Sequence, residues 1–90
     1  MDDGRLRAVL TAVDRGSFSK AAAELGYTQS AMTHLVNNLE AELGCTLLNR
    51  GSHGVRLSEE GEQLLPYIKS VIDACDALRQ EAAAQSRTQR

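Results

Sequence analysis

Apolar positions recur along this chain at helical spacing, and glycines break the recurrence at short intervals. Leu6, Val9, Leu10 and Val13 fall at i, i+3, i+4 and i+7, one stripe of a first helix over Asp3 to Arg15 that Gly16 stops. Ser17 is placed to cap a second helix from about Phe18 to Leu25, in which Ala21, Ala22 and Ala23 let a neighbour approach closely. Gly26 ends that helix, and Thr28 is the next cap. A third helix from about Gln29 to Leu43 turns Met32, Leu35, Val36, Leu39 and Leu43 inward and closes at Gly44. The gap of Gly26, Tyr27 and Thr28 leaves room only for a tight turn, which holds the second and third helices at an angle.

The pattern then changes period. Thr46 to Asn49 and Val55 to Leu57 read as a pair of short strands flanking Arg50-Gly51-Ser52-His53-Gly54, whose two glycines suit a flexible hairpin tip, a wing. Ser58 caps a last helix, with Glu59, Glu60 and Glu62 where the positive end of the backbone dipole favours carboxylates. Along it Leu64, Ile68, Val71, Cys75, Leu78 and Ala82 repeat with alternating gaps of four and three, and Leu65 and Ile72 broaden the stripe. Roughly 25 residues at about 1.5 Å each make a rod near 40 Å, longer than a core built from the preceding residues covers. The seam therefore predicts a second copy of the chain, the alternative being that it folds back on the first helix. Pro66 removes one ladder bond and predicts a bend, while Gln85 to Arg90, with no apolar residue, is expected to fray. The fold class is all-α with a small β-wing: a winged helix-turn-helix over 1–58, a linker or dimerisation helix over 59–84, and a frayed tail or hinge start over 85–90.

Composition narrows this further. Ninety residues hold one small core, and 42% hydrophobic with only 3% aromatic residues and a single Pro excludes a β-sandwich. No run is long and apolar enough for a membrane span, and the Met1-Asp2-Asp3 start resembles no signal peptide, so a soluble, cytoplasmic protein without a membrane partner is expected. Cys45 and Cys75 lack the spacing of a zinc site or disulfide framework and are expected as reduced thiols, Cys75 as a small buried hydrophobe on the seam. No carboxylate pair, Ser/His/Asp set or metal cluster has workable spacing, so neither an enzyme nor a cofactor is expected. The net charge of −2 is unusual for a nucleic-acid binder, but the acidity sits after Ser58. Before it, Arg5, Arg7, Arg15, Lys20, Arg50 and Arg56 are matched by as many acids.

If the aliphatic side of the third helix is buried, Gln29, Ser30, Thr33, His34, Asn37 and Asn38 face outward, all hydrogen-bonding and none formally charged. Ordinary solvated faces carry Lys and Glu; an uncharged polar strip suits close approach to the donors, acceptors and methyl groups on base edges. Gln29 suits adenine, Thr33 offers hydroxyl and methyl, and His34 suits guanine N7. Phosphate contacts then fall to Ser17, Lys20, Thr28, Arg50, His53 and Arg56, with the free N–H groups opening the third helix. Arg50 has the competing reading of an ion pair with Glu40 or Glu42, Arg56 that of a bare wing charge, and His53 that of a side chain facing water.

The ordered set of Gly16-Ser17-Phe18, Thr28-Gln29-Ser30-Ala31, Leu39-Glu40-x-x-Leu43-Gly44, Leu47-Leu48-x-Arg50 and Leu57-Ser58-x-x-Gly61 resembles the N-terminal DNA-binding domain of LysR-type transcriptional regulators. The resemblance covers residue 5 to about residue 80. It implies a bacterial, sequence-specific regulator of transcription, with the third helix in the major groove, the wing at the minor groove and the linker helix pairing antiparallel with its twin. The implied partners are an operator of interrupted inverted repeat, a second copy through Leu64, Leu65, Ile68, Val71, Ile72, Cys75, Leu78 and Ala82, and RNA polymerase indirectly. The family's effector domain is absent here, which suggests an excised fragment. His34 and Ser58 stand where the family often places Arg and Thr; the first exchange removes a bidentate guanidinium, the second leaves the cap intact. A winged-helix module that pairs proteins without touching DNA is the alternative, motivated by the acidic balance and the long seam.

Overall fold

The computed structural model describes residues 3–88, with side chains as far as Ser86. Three helices, α1 (Gly4–Arg15), α2 (Phe18–Leu25) and α3 (Gln29–Leu43), precede a two-stranded sheet, β1 (Leu48–Gly51) and β2 (Gly54–Leu57), and a long helix α4 (Glu59–Thr88). The caps expected from local chemistry are in place. The Ser17 Oγ accepts from the Lys20 N–H and the Thr28 Oγ1 from the Ala31 N–H, each satisfying a backbone donor that has no partner within its helix. Between α2 and α3 the Tyr27 N–H returns to the Ala22 carbonyl at 2.9 Å and tightens the turn.

Small residues make the three-helix packing possible. Ala8, Val9 and Ala12 of α1, Phe18, Ala21 and Ala22 of α2, and Met32, Val36 and Leu39 of α3 form one core, completed by Leu47, Leu48, Val55, Ile68 and Ile72. Leu43 corrects one expectation: it is 47% exposed, because the end of α3 runs past this core. With Leu6, Leu64, Tyr67, Ile68 and Val71 it lines an apolar hollow where α1, α3 and α4 meet.

The first strand starts two residues later than expected, at Leu48 instead of Thr46. The backbone before it is already satisfied elsewhere: the Leu47 and Leu48 N–H groups donate to the Glu40 carboxylate at 2.6 and 3.1 Å, and the Leu47 carbonyl accepts from the Ser58 N–H at 2.8 Å. The antiparallel register runs from Leu48 opposite Leu57 to Gly51 opposite Gly54, so the tip is a two-residue turn at Ser52 and His53, shorter than the five-residue tip expected. Gly54, at φ +98, brings the wing against the turn between α1 and α2: the Val55 N–H donates to the Gly16 carbonyl at 3.1 Å, and a Cβ on Gly54 would lie 2.6 Å from the same oxygen.

Ser58 couples sheet to helix. Its hydroxyl donates to the Thr46 carbonyl at 2.5 Å while accepting from the Gly61 N–H at 2.9 Å. A Cβ on Gly61 would sit 2.2 Å from the Leu47 carbonyl oxygen, so only glycine fits this approach. Pro66 lies inside α4 without ending it, and the helix carries on through Gln85 to Thr88, beyond the expected end at 84. The Ala82-Ala83-Ala84 run, of the highest helix propensity, accounts for the extension. Gln89 and Arg90, the end of the expected frayed tail, lie outside the described residues.

The α4 seam divides between two surfaces. Ile68 and Ile72 are buried against this chain's own core, and Leu64 packs beside them. Leu65 and Cys75 are half-buried, whereas Val71, Leu78 and Ala82 are exposed, with Tyr67 beside them at 70%. A stripe repeating at four and three is wide enough to present two surfaces: the reading that the seam folds back on this chain holds for Ile68 and Ile72, and Val71, Leu78 and Ala82 remain uncovered.

Beyond Ile72, charge takes over the attachment of α4. The carboxylate of Asp3, itself only 3% exposed, accepts from Arg7 Nε at 2.7 Å and from Arg79 Nη2 and Nη1 at 2.8 and 3.3 Å. Arg7 Nη2 also donates to Asp76 at 2.5 Å. The hydrogen bonds from Arg79, then those from Arg7, hold the Asp3 carboxyl well below the usual carboxylate range.

Candidate functional site

Burial of Met32, Val36 and Leu39 leaves the opposite side of α3 open. Gln29, Ser30, Thr33, His34 and Asn37 bound a single shallow concavity there, and Asn38 is exposed beside them. The structure thus brings together the five side chains singled out for base contact. No residue from Gln29 to Leu39 carries a formal charge, so the strip offers hydrogen-bond donors and acceptors alone.

Two of these side chains are tied to neighbouring elements. The Ser19 Oγ on α2 donates to Gln29 Oε1 at 3.0 Å, and Arg50 Nη2 on β1 donates to Asn37 Oδ1 at 3.0 Å. The Arg50 guanidinium also lies over the Phe18 ring, 4.4 Å from its centre, so the wing, α2 and α3 converge on one cation. The competing reading of Arg50 is corrected here: Glu40 is occupied by the Leu47 and Leu48 N–H groups, and Glu42 pairs with Arg5 at 3.0 Å. A second hollow links Ser17, Ser19, Gln29 and Arg50 in the cleft between the helices and the wing.

The remaining candidates lie on α2, on the wing and at the start of α3. Ser17 and Thr28 use their hydroxyl oxygens as helix caps, which leaves each hydroxyl proton available to an outside acceptor. Lys20 and Arg56 are exposed, and His53 occupies the wing turn. The basic residues of 3–58 divide into paired and unpaired groups. Arg5 pairs with Glu42, Arg7 with Asp3 and Asp76, and Arg15 with Glu24, whereas among the described residues Lys20, Arg50 and Arg56 join no ion pair. Within an overall balance of −2, these three cations are left unpaired by the described residues, and Arg50 among them touches the uncharged strip.

Sequence reasoning missed Ser19, Phe18 and the Asp3 cluster. Ser19 opens α2 and Gln29 opens α3, so a tight turn between two angled helices is the signal that could have paired them. Nothing local signals contact between Asp3 and Arg79. Cys45 and Cys75 are free and half-buried. Among the described residues no three His, Cys, Asp or Glu side chains gather as a metal site, and no helix is long and apolar enough to cross a membrane.

Over residues 4–62 the chain matches the family described as bacterial regulatory helix-turn-helix protein, lysR family. It is similar to the uncharacterized HTH-type transcriptional regulator YusT of Bacillus subtilis, with 42% identity over 76 residues that cover 84% of this chain and 26% of YusT. Among solved structures, a cysteine mutant of Corynebacterium glutamicum OxyR superposes with a TM-score of 0.86 at 30% identity, covering 91% of this chain and 26% of that one. The BenM DBD in its complex with catB site 1 DNA superposes at 0.85 with 31% identity, covering 96% of this chain and 97% of that one. The chain thus spans about a quarter of the length of YusT and of OxyR.

Proposed function

We propose that this chain, which belongs to the lysR family of bacterial regulatory helix-turn-helix proteins, binds double-stranded DNA sequence-specifically and so regulates transcription. The observation that carries the reading is the combination of an open, charge-free strip on α3 with Lys20, Arg50 and Arg56, cations that no carboxylate among the described residues neutralises. The strip enters the major groove, where Gln29, Ser30, Thr33, His34 and Asn37 meet base edges. Ser17, Lys20, Thr28 and the N–H groups opening α3 hold phosphate, joined by Arg50, His53 and Arg56 from the wing. The likeness to the BenM DBD, solved with catB site 1 DNA, supports this docking.

Two copies join through α4. Tyr67, Val71 and Leu78, together with Leu43, supply the apolar surface left uncovered, whereas Ile68 and Ile72 serve mainly this chain's own core. A two-fold pair presents two reading helices, and its operator is an interrupted inverted repeat. RNA polymerase is reached indirectly, through where the pair sits on DNA, and the site of action is the cytoplasm. The acidic balance that motivated a purely protein-pairing module lies after Ser58 and in the ion pairs, away from the strip.

Selection of bound sites from random duplexes, followed by titration in rising salt, tests this reading. The expected result is an inverted repeat whose binding weakens with a log–log slope of about −0.9 for each phosphate neutralised. Self-association that ignores salt, with no duplex retained, overturns it.

A further inference from the structure

Gln29 and Asn37 stand near the two ends of the strip, and both have their carbonyl oxygens tied inward. Ser19 Oγ donates to Gln29 Oε1, and Arg50 Nη2 donates to Asn37 Oδ1. A free carboxamide at a helix surface turns over by half a rotation at little cost, exchanging its donor and acceptor faces, and so reads base edges ambiguously. The Ser19 hydroxyl carries a single hydrogen, which is committed to Gln29. With Oε1 engaged by Ser19, the Gln29 NH2 group is the part of the carboxamide that no described residue engages, and Gln29 lines both the concavity and the cleft toward the wing. The guanidinium engages the Asn37 oxygen from the wing in the same way, so each carboxamide is held by a different element.

We infer that Ser19 is a specificity-determining positioning residue: by fixing the Gln29 carboxamide it makes this end of the strip a donor, suited to the paired N7 and O6 acceptors of guanine. Adenine, the base expected of Gln29 with a free carboxamide, presents one acceptor and one donor on the same edge and satisfies the fixed amide less well. Arg50 acts likewise on Asn37, but its charge also serves phosphate, so Ser19 is where orientation separates from affinity. The inference rests on the reading of Gln29 as a base contact, and the experiment keeps the two apart.

Operator preference is measured by site selection and competition titration for the native chain and for Ser19→Ala, Ser19→Thr and Gln29→Ala. The Gln29→Ala chain identifies the base position at stake. At that position Ser19→Ala is expected to lower the preference for guanine over adenine by about tenfold, with affinity for unrelated duplex unchanged. Ser19→Thr, which keeps the hydroxyl, restores the preference. If Ser19→Ala leaves the preference intact while Gln29→Ala abolishes it, the inference falls and the base-reading role stands. An equal loss on every duplex makes Ser19 a phosphate contact and also overturns the inference. No change of preference from Gln29→Ala removes the base-reading role and the inference together.

Discussion

The outer face of α3 and the junction of α1 with α4 treat polarity in opposite ways. On α3, polar side chains are kept uncharged and mostly unengaged: Ser30, Thr33 and His34 make no side-chain hydrogen bond to the described residues. At the junction, Asp3, Arg7, Asp76 and Arg79 saturate one another across more than seventy residues of sequence. Only Asp3 of this cluster is buried, and its carboxylate fixes the geometry, because a charge removed from water tolerates few arrangements. An unengaged amide and hydroxyl strip leaves its hydrogen-bonding capacity for a partner. Charge is concentrated where α4 is tied to α1 and withheld from the open face of α3.

The attachment of α4 is the place to break this contrast most severely. Gly61→Ala drives a methyl group toward the Leu47 carbonyl and is expected to cost about 1–3 kcal/mol in urea denaturation. Asp3→Asn is expected to lower the urea midpoint at neutral pH without altering which duplex sequences are preferred. Because the Asp3 carboxyl titrates lower in the folded chain than in the unfolded one, its stabilisation is full above the ordinary carboxylate range. As pH falls below about 4 the unfolded chain takes up the proton first, and the gap between native and Asp3→Asn midpoints closes.

Changes around the strip act on binding and leave stability alone. Arg56→Ala, on the exposed side of β2, is expected to weaken all duplexes alike and to flatten the salt slope by about one. His34→Ala is the mildest: a loss of about 1 kcal/mol in discrimination at one base position, with binding to unrelated duplex and the urea midpoint unchanged. If Arg56→Ala shifted sequence preference, or His34→Ala weakened every duplex equally, the division of roles between wing and strip would be wrong.

The parts of this molecule visible in its sequence are those decided within a few residues. Ser17, Thr28 and Ser58 cap, Gly26 and Gly44 close, and the bounds of α2 and α3 follow from them. The uncharged strip is visible too, since it needs only a helical period and the absence of charge from Gln29 to Leu39. The parts hidden in the sequence depend on what a side chain meets after folding. The seam of α4 has one period, yet Ile72 is buried by this chain while Val71 and Leu78 are not. Leu43 obeys the apolar pattern but outruns the core, and Glu40 forgoes a cation for two backbone N–H groups. The start of β1 shifts because Glu40 and Ser58 satisfy Thr46 and Leu47 before a neighbouring strand does.

Titration of the isotope-labelled 90-residue chain with its selected duplex, followed by two-dimensional amide NMR, tests the contrast most directly. The account predicts that the side-chain amides of Gln29 and Asn37 shift, together with the backbone from Gln29 to Asn38 and from Arg50 to Arg56, while signals around Asp3, Arg7 and Asp76 stay in place. Shifts gathered at the α1–α4 junction, with the face of α3 unmoved, would contradict it.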